Sequence, residues 1–191
     1  MLSRGEFGIL GMERILDLLG AHGISGSFFI PGHTIDTFPD ICRRTHAEGH
    51  EIAHHGWTHR RPDDIYNHGG VDAERQELLR GIESIRRITG APPTGYRSPA
   101  WDLSPATLRL LIEHGFSYDS SLMATDYTPY WARDDPIPDQ MEPAKFGAST
   151  SLVEMPISWS LDDYPAFEFG ATPSLMSYKV LIIGAKLQMY S

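Results

Sequence analysis

The sequence is organised around the stretch His50-Glu-Ile-Ala-His-His-Gly-Trp-Thr-His59, which holds four of the nine histidines of the chain. The apolar pair Ile52-Ala53 leads into the histidines, and the glycines and tryptophan around them are typical of a loop at the end of a strand. His55 and His59 stand four residues apart, which on a helical turn would bring both imidazoles to one side, able to share a metal ion. Such pairs also arise by chance as exposed side chains on a helix, so the spacing alone leaves both interpretations open.

The composition indicates one acidic globular domain. The chain has 191 residues, enough for one sizeable core, and a net charge of -9, which argues against nucleic acid or an anionic membrane as the main partner. The single cysteine, Cys42, excludes an internal disulfide and is typical of a reducing compartment, so we expect a cytoplasmic protein, although a signal peptide upstream of this sequence would escape notice. No run reaches the roughly 18 apolar residues that a membrane span needs.

Helical and strand patterns alternate along the chain, with a glycine after each helix. Helices are predicted over residues 12–22, 39–48, 72–89 and 104–114. Strands are predicted over residues 24–30, 50–53, 94–97, 116–119 and 151–157, and residues 124–148 are predicted to form a long loop. This order predicts right-handed crossovers and a largely parallel sheet, and it does not distinguish an open sheet from a barrel.

Several chemically distinctive residues directly follow predicted strands. Because parallel strands end at one edge, where α/β folds bind their ligands, we expect these side chains to converge there. They are His55, His59, Arg97, Trp101, Asp119 and Trp159. The two tryptophans could pack in the core or line a binding groove, where flat aromatic faces suit sugar rings or small heterocycles. Asp119 could instead cap the turn that follows it.

Two motifs in order resemble a known family. The stretch Gly49–His59, followed by Tyr96-Arg-Ser-Pro-Ala-Trp101, resembles the NodB-homology polysaccharide deacetylases, carbohydrate esterase family 4. Further agreement lies in Phe28–Gly32, Leu103–Leu108 and His114–Leu122. Ser158–Pro165 is similar to one branch, which holds peptidoglycan-deacetylase-like, allantoinase-like and cyclic-imide-hydrolase-like proteins. The resemblance covers residues 3–169 as a partial domain and leaves 170–191 as a divergent C-terminal tail.

The resemblance implies a distorted (β/α) barrel and a divalent metal, often zinc, held by an Asp-His-His set. His55 and His59 match the two histidine ligands. Arg97 matches the arginine that orients the catalytic carboxylate, and Pro99 and Trp101 match positions in the groove wall. The implied reaction is hydrolysis of an amide C–N bond, in which the metal activates water and polarises the carbonyl while a carboxylate takes the proton.

Three elements of the family pattern are absent from this sequence. The family's first strand ends in an Asp-Asp pair that supplies the base and a metal ligand, but no such pair precedes Ser3. The family also supplies a late histidine, and none follows His114. We therefore expect an incomplete barrel that lacks its first strand and last portion, from a fragment or a truncated gene. The candidate substitute carboxylates are Asp102, Asp162 and Asp163.

These features predict a zinc-dependent hydrolase that removes the acetyl group from an N-acetylated glycan such as peptidoglycan. One alternative is an allantoinase-like hydrolase of a cyclic amide or imide, which the Ser158–Pro165 segment favours. A second alternative is a non-catalytic fragment that binds a metal or sugar, which the missing carboxylates favour. An unpaired strand edge also predicts poor solubility or a covering partner, so a homo-oligomer is open.

Overall fold

The fold is described by a computed structural model that covers residues 2–135, 143 and 145–158, with side chains from Gly8 onward. The helices are α1 (Leu2–His22), α2 (Gly32–Thr37), α3 (Pro39–Ala47), α4 (Pro62–Thr89) and α5 (Thr107–Glu113). The strands are β1 (Ser27–Ile30), β2 (Glu51–His54), β3 (Gly95–Tyr96), β4 (Tyr118–Asp119), β5 (Tyr130–Arg133) and β6 (Ser149–Glu154). A single 3₁₀ turn spans Pro99–Trp101.

The six strands form one sheet in the order β1-β2-β3-β4-β6-β5. Strands β1, β2, β3, β4 and β6 run parallel, which confirms the predicted parallel sheet with helical crossovers. Their carboxyl ends therefore lie along one edge of the sheet, as predicted. Within the part of the chain that the structure describes, β1 and β5 are the outer strands. No helix in that part is long and apolar enough to cross a membrane.

The predicted long loop over residues 124–148 is wrong in part, because it contains β5. This strand pairs antiparallel with β6. Ala132 is fully buried between Trp131 and Arg133, which are exposed. The alternation is too short, and too close to prolines and charges, to stand out in the sequence, and pairing with β6 is what stabilises it.

Three helical regions also differ from the prediction. Helix α1 begins at Leu2, ten residues before the predicted start at residue 12. The short helix α2 was not predicted; it directly follows Pro31, which occupies the N-cap position. Helix α4 begins ten residues earlier than predicted, at Pro62, and bends at Gly70, which has a φ of 69°. The apolar helical repeat starts only after this bend, so periodicity alone found the second segment of α4 and missed the first.

The core lies between α4, α5 and the sheet. One cluster joins these elements through Leu78, Ile82, Tyr96, Leu110, Leu111, Phe116 and Leu152. A second cluster under α3 contains Ile35, Ile52, Ile85 and Cys42, so Cys42 is a small buried residue of the core. At Gly81 of α4 a Cβ atom would come within 2.2 Å of His54 Nε2, so this glycine lets the helix lie directly on β2.

Leu111→Ala should lower the free energy of unfolding by about 2–5 kcal/mol, because Leu111 is fully buried and the lost methyl groups leave a cavity. Ile112→Ala is the matched control on the same helix: its side chain is 37% exposed, and we expect a loss of about 1 kcal/mol or less. Urea denaturation of both variants measures the difference, and equal losses would contradict the assigned core.

Candidate active site

His54 and His55 leave the end of β2 toward opposite faces, as successive strand residues must. His54 is buried: its Nε2 lies 3.0 Å from the carbonyl oxygen of Leu78, and its Nδ1 accepts the Gly56 N–H at 3.1 Å. His54 is therefore a packing residue. The His55 side chain instead lies at the carboxyl edge, where a ligand could reach it.

His55 is anchored through one ring nitrogen. Its Nδ1 lies 2.6 Å from the carbonyl oxygen of Arg97, so Nδ1 carries the proton and donates it. Nε2 then carries the lone pair, the arrangement found where a protein histidine binds a metal. Burial lowers the pKa of His55 to about 4, although the bond to the Arg97 carbonyl acts in the opposite direction. The imidazole is thus neutral at physiological pH and able to bind a cation.

His59 comes next to His55 through a loop, and the two imidazole centroids lie 4.9 Å apart. The helical turn that the spacing suggested is wrong, and the predicted loop after the strand is confirmed. His59 has a φ of 62°, a left-handed conformation that folds its side chain back toward His55. Four-residue spacing therefore pairs these histidines by a reversal of the backbone, and not by helical periodicity.

The fit to a metal ion is partial. Two close imidazoles, one with its tautomer fixed, suit Zn²⁺ and similar cations. Among residues 2–135, 143 and 145–158, however, no group of three histidine, cysteine or acidic side chains is placed to hold a metal. Asp64, which follows the histidines closely, is engaged by Arg60 at 2.8 Å and by His68 at 3.2 Å.

The loop between the two histidines is held by Glu77 of α4, a residue that sequence reasoning missed. Its Oε1 accepts the backbone N–H of Trp57 at 3.0 Å, the backbone N–H of Thr58, and the Thr58 hydroxyl at 2.6 Å. The Arg80 guanidinium also lies 3.5 Å from the centroid of the Trp57 ring. One helix therefore fixes the segment that carries the histidines, through contacts about twenty residues away that a linear motif does not reveal.

Arg97 directly follows β3 and faces the next strand. Its Nε donates to the Ser120 carbonyl oxygen at 3.0 Å, and one terminal nitrogen donates to the Ser120 hydroxyl at 2.7 Å. The guanidinium carbon also lies 4.4 Å from the centroid of the Phe29 ring. Arg97 is thus a half-buried cation fixed at the carboxyl edge, on the same backbone segment that anchors His55.

The turn Pro99–Trp101 packs against the histidine loop. Gly56 has a φ of 71°, and a Cβ atom there would lie 3.3 Å from the Pro99 ring, so the two motifs touch at this point. Pro99 is buried, while Trp101 is half-buried with a φ of 60°. Their predicted places in a groove wall stay predictions. Trp159 lies outside the described residues.

Of the three candidate substitute carboxylates, the structure describes only Asp102, which does not join the histidines. Asp102 pairs with Arg61 at 3.0 Å, and Asp162 and Asp163 lie outside the described residues. Asp119 is fully buried at the end of β4, next to Glu154, a residue that no sequence pattern had marked. The structure therefore brings together His55, His59 and the backbone of Arg97, and it places Asp119 inside the protein and not on a groove.

Comparison with known proteins agrees with the family resemblance of the two motifs. The family model described as polysaccharide deacetylase matches residues 11–118. The chain is similar to a peptidoglycan deacetylase of Helicobacter pylori, with 39% identity over 179 residues, which are 88% of this chain and 60% of that protein. The chain thus spans little more than half of the length of this relative and of a second one, at 60% and 52%.

Solved structures show the same fold. A polysaccharide deacetylase homologue from Mycobacterium smegmatis is 37% identical, with a TM-score of 0.66 over 85% of this chain and 52% of that one. Puue allantoinase is 26% identical, with a TM-score of 0.64 over 85% of this chain and 48% of that one. These similarities confirm the predicted resemblance and the α/β fold of this type, of which the chain covers about half.

Glu77→Ala should lower the free energy of unfolding by about 1–3 kcal/mol, because two backbone N–H groups and a hydroxyl lose a charged acceptor. It should also free the loop that carries His55 and His59, visible as faster amide exchange at Trp57 and Thr58. Glu83→Ala, on the same helix, removes only exposed ion pairs and should change stability by about 0.5 kcal/mol or less. Unchanged exchange in Glu77→Ala would contradict the role of Glu77.

Proposed function

The chain belongs to the polysaccharide deacetylase family, and we propose that it forms part of a metal-dependent hydrolase that removes the acetyl group from an N-acetylated glycan such as peptidoglycan. The observation that carries this proposal is the hydrogen bond between His55 Nδ1 and the Arg97 carbonyl, because it joins the two motifs into one site. The similarity to the peptidoglycan deacetylase of Helicobacter pylori supports the choice of substrate class.

His55 and His59 would hold the metal in this proposal. The bond from His55 Nδ1 fixes the ring and leaves the lone pair on Nε2, beside the second imidazole, and Glu77 holds the intervening backbone. When bound, a divalent cation such as zinc supplies Lewis-acid activation of water and of the substrate carbonyl. A third ligand and the base would come from outside the described residues, since those residues place no such group beside the histidines.

Arg97 and the turn after it would bind and orient the substrate. Two hydrogen bonds to Ser120 hold the guanidinium in one direction, so that its charge is preorganised to orient a neighbouring carboxylate. Trp101 stands at the edge of the turn and offers an aromatic face to a sugar ring. Pro99 would support this wall from beneath through its contact with Gly56, and Trp159 is proposed to extend it.

A second candidate function is hydrolysis of a cyclic amide or imide. It is favoured by the structural similarity to Puue allantoinase, which spans 85% of this chain. Both reactions break an amide C–N bond, so the same histidines and arginine would serve either one. They differ in product, because a glycan substrate releases acetate, whereas a cyclic amide opens without losing a fragment.

The first test is metal retention by the purified chain after dialysis against trace zinc, measured by elemental analysis. We expect close to one bound zinc per chain, and a loss of that zinc in the double variant His55→Ala/His59→Ala. His46→Ala/His68→Ala is the matched control, because both of its histidines are exposed and lie apart from the site, and it should retain the metal. Absence of retained zinc in every protein would contradict a working metal site in this chain.

The second test is turnover with zinc added, by acetate release from N-acetylglucosamine oligomers and peptidoglycan, beside ring opening of allantoin. Arg97→Lys should lower kcat/KM by about ten- to hundredfold, because lysine keeps the charge but cannot reproduce the two directed bonds to Ser120. Arg109→Lys, at an exposed position, should leave it unchanged. Ring opening without acetate release would overturn the glycan assignment in favour of the second candidate.

A further inference from the structure

Two acidic side chains meet inside the protein at the ends of neighbouring strands. Asp119 of β4 and Glu154 of β6 are partners in the parallel register, and both are fully buried. Their carboxyl groups lie within hydrogen-bonding distance of each other. Two ionised carboxylates so placed would repel each other without solvent screening, and each would lose its hydration. Full ionisation of both groups is therefore incompatible with the observed packing at neutral pH.

Within the part of the chain that the structure describes, the hydrogen bonds around the pair leave one carboxyl oxygen of each residue without a donor. Asp119 Oδ1 accepts the Ser121 hydroxyl at 2.7 Å. Glu154 Oε1 accepts the backbone N–H groups of Ser121 and Leu122, each at 2.9 Å. The other two oxygens, Asp119 Oδ2 and Glu154 Oε2, are buried without a hydrogen-bond donor among the described residues. One proton between the two carboxyl groups would satisfy both oxygens, since a protonated carboxyl is a donor.

We propose that Asp119 and Glu154 share one proton at neutral pH, and that this pair is a positioning element for Arg97 and for the turn that carries Trp101. The second half of the proposal rests on the proposed function, because it takes Arg97 and Trp101 to serve the active site. The first half depends only on the buried pair.

Ser120 carries the connection from the pair to Arg97. It lies directly after Asp119, accepts two hydrogen bonds from the Arg97 side chain, and donates its own hydroxyl to the Met155 carbonyl at 2.7 Å. Met155 in turn directly follows Glu154, and its N–H bonds the carbonyl of Asp119 at 2.8 Å. Separation of the two strand ends would therefore displace the acceptors that hold Arg97.

Ser121 carries the connection to the turn that holds Trp101. Its hydroxyl donates to Asp119 and accepts the backbone N–H of Ser98 at 2.9 Å. The carbonyl of Ser98 accepts the N–H of Trp101 at 3.0 Å. The buried pair is thus connected by hydrogen bonds to both segments that the proposed function uses, Arg97 and the turn with Trp101, although both carboxyl groups are buried.

The groups around the pair do not offer a full counter-charge. Tyr96 on β3 and Tyr130, the register partner of Glu154 on β5, are neutral, since burial raises the pKa of each phenol. Arg97 is fixed on Ser120 at the edge. The charged residues of α5 lie outward, with Arg109 exposed and Glu113 paired with Arg75. Burial and the neighbouring Asp119 raise the pKa of Glu154 to about 9, and burial raises that of Asp119.

The shared proton predicts the direction in which stability changes with pH. Because the folded-state pKa of Glu154 is raised above its unfolded value of about 4.3, the folded protein binds one more proton than the unfolded chain up to about pH 9. The stabilisation is complete below the unfolded pKa and is lost as pH rises toward 9. The folding equilibrium constant should fall by up to about tenfold per pH unit in this window.

The experiment is urea unfolding of the 191-residue chain between pH 7 and 9, above the range in which histidines titrate. Glu154→Gln is the central variant, because its amide oxygen can keep the two N–H bonds while its NH₂ group donates permanently to Asp119. We expect the wild type to lose stability across this range and Glu154→Gln to lose much less. Its residual slope near pH 9 comes from Cys42, because burial raises the pKa of that thiol to about 11. Asp119→Asn provides the same test from the other side if Glu154→Gln does not fold. Glu113→Gln, an exposed carboxyl on α5, should keep the wild-type slope.

The positioning role of the pair is tested by NMR through the Arg97 Nε–H signal. This signal is assigned as the one that Arg97→Lys lacks. In the wild type it should lose protection from exchange as the shared proton leaves the folded protein near pH 9, while in Glu154→Gln it should stay protected through the same range. A flat wild-type slope, or an equal slope in Glu154→Gln, overturns the shared proton. A sloping wild type with an Arg97 signal indifferent to pH overturns the positioning role. Neither measurement uses metal or turnover, so failure here is distinct from failure of the proposed function.

Discussion

The hydrogen bond between His55 Nδ1 and the Arg97 carbonyl is the contact on which the candidate site depends. Strand β3 is only two residues long, and its register with β2 is defined at one pair, His54 with Tyr96. The ladder is continued by the Arg97 N–H, which bonds the His54 carbonyl at 2.9 Å. An imidazole thus takes the place of the next backbone donor, so the same bond extends the sheet and fixes a side chain at its edge.

Positive φ values gather around this bond. His59, Ala100 and Trp101 all adopt left-handed conformations, which cost free energy in residues that have a Cβ atom. Each lies in a loop just beyond the carboxyl end of β2 or β3, and each turns the chain back over the edge of the sheet. Among the described residues that have a Cβ atom, positive φ values occur only in these loops, so this strain lies at the edge that carries the candidate site.

Much of this arrangement follows from the sequence. Alternating periodicity gives the parallel sheet, and parallel strands place His55, His59 and Arg97 on one edge. Other features depend on contacts that no local pattern contains. The loop conformation at His59, the acceptor role of Glu77 and the partnership of Asp119 with Glu154 each arise between residues on different elements. Strand β5 is similar, because its four residues become a strand only through β6.

Helix α4 sets the positions of several segments along the edge of the sheet. Along one stripe it presents Glu74 to Thr107 at 2.6 Å, Glu77 to the histidine loop, and Gly81 to His54. These positions follow helical spacing. One inserted residue would rotate the rest of the helix by about 100°, so every contact beyond the insertion would be lost together. Residues 124–129, between β4 and β5, contain no helix or strand. Length variation within this fold should therefore be tolerated in that segment and excluded from the interior of α4, even where the inserted residue is a good helix former.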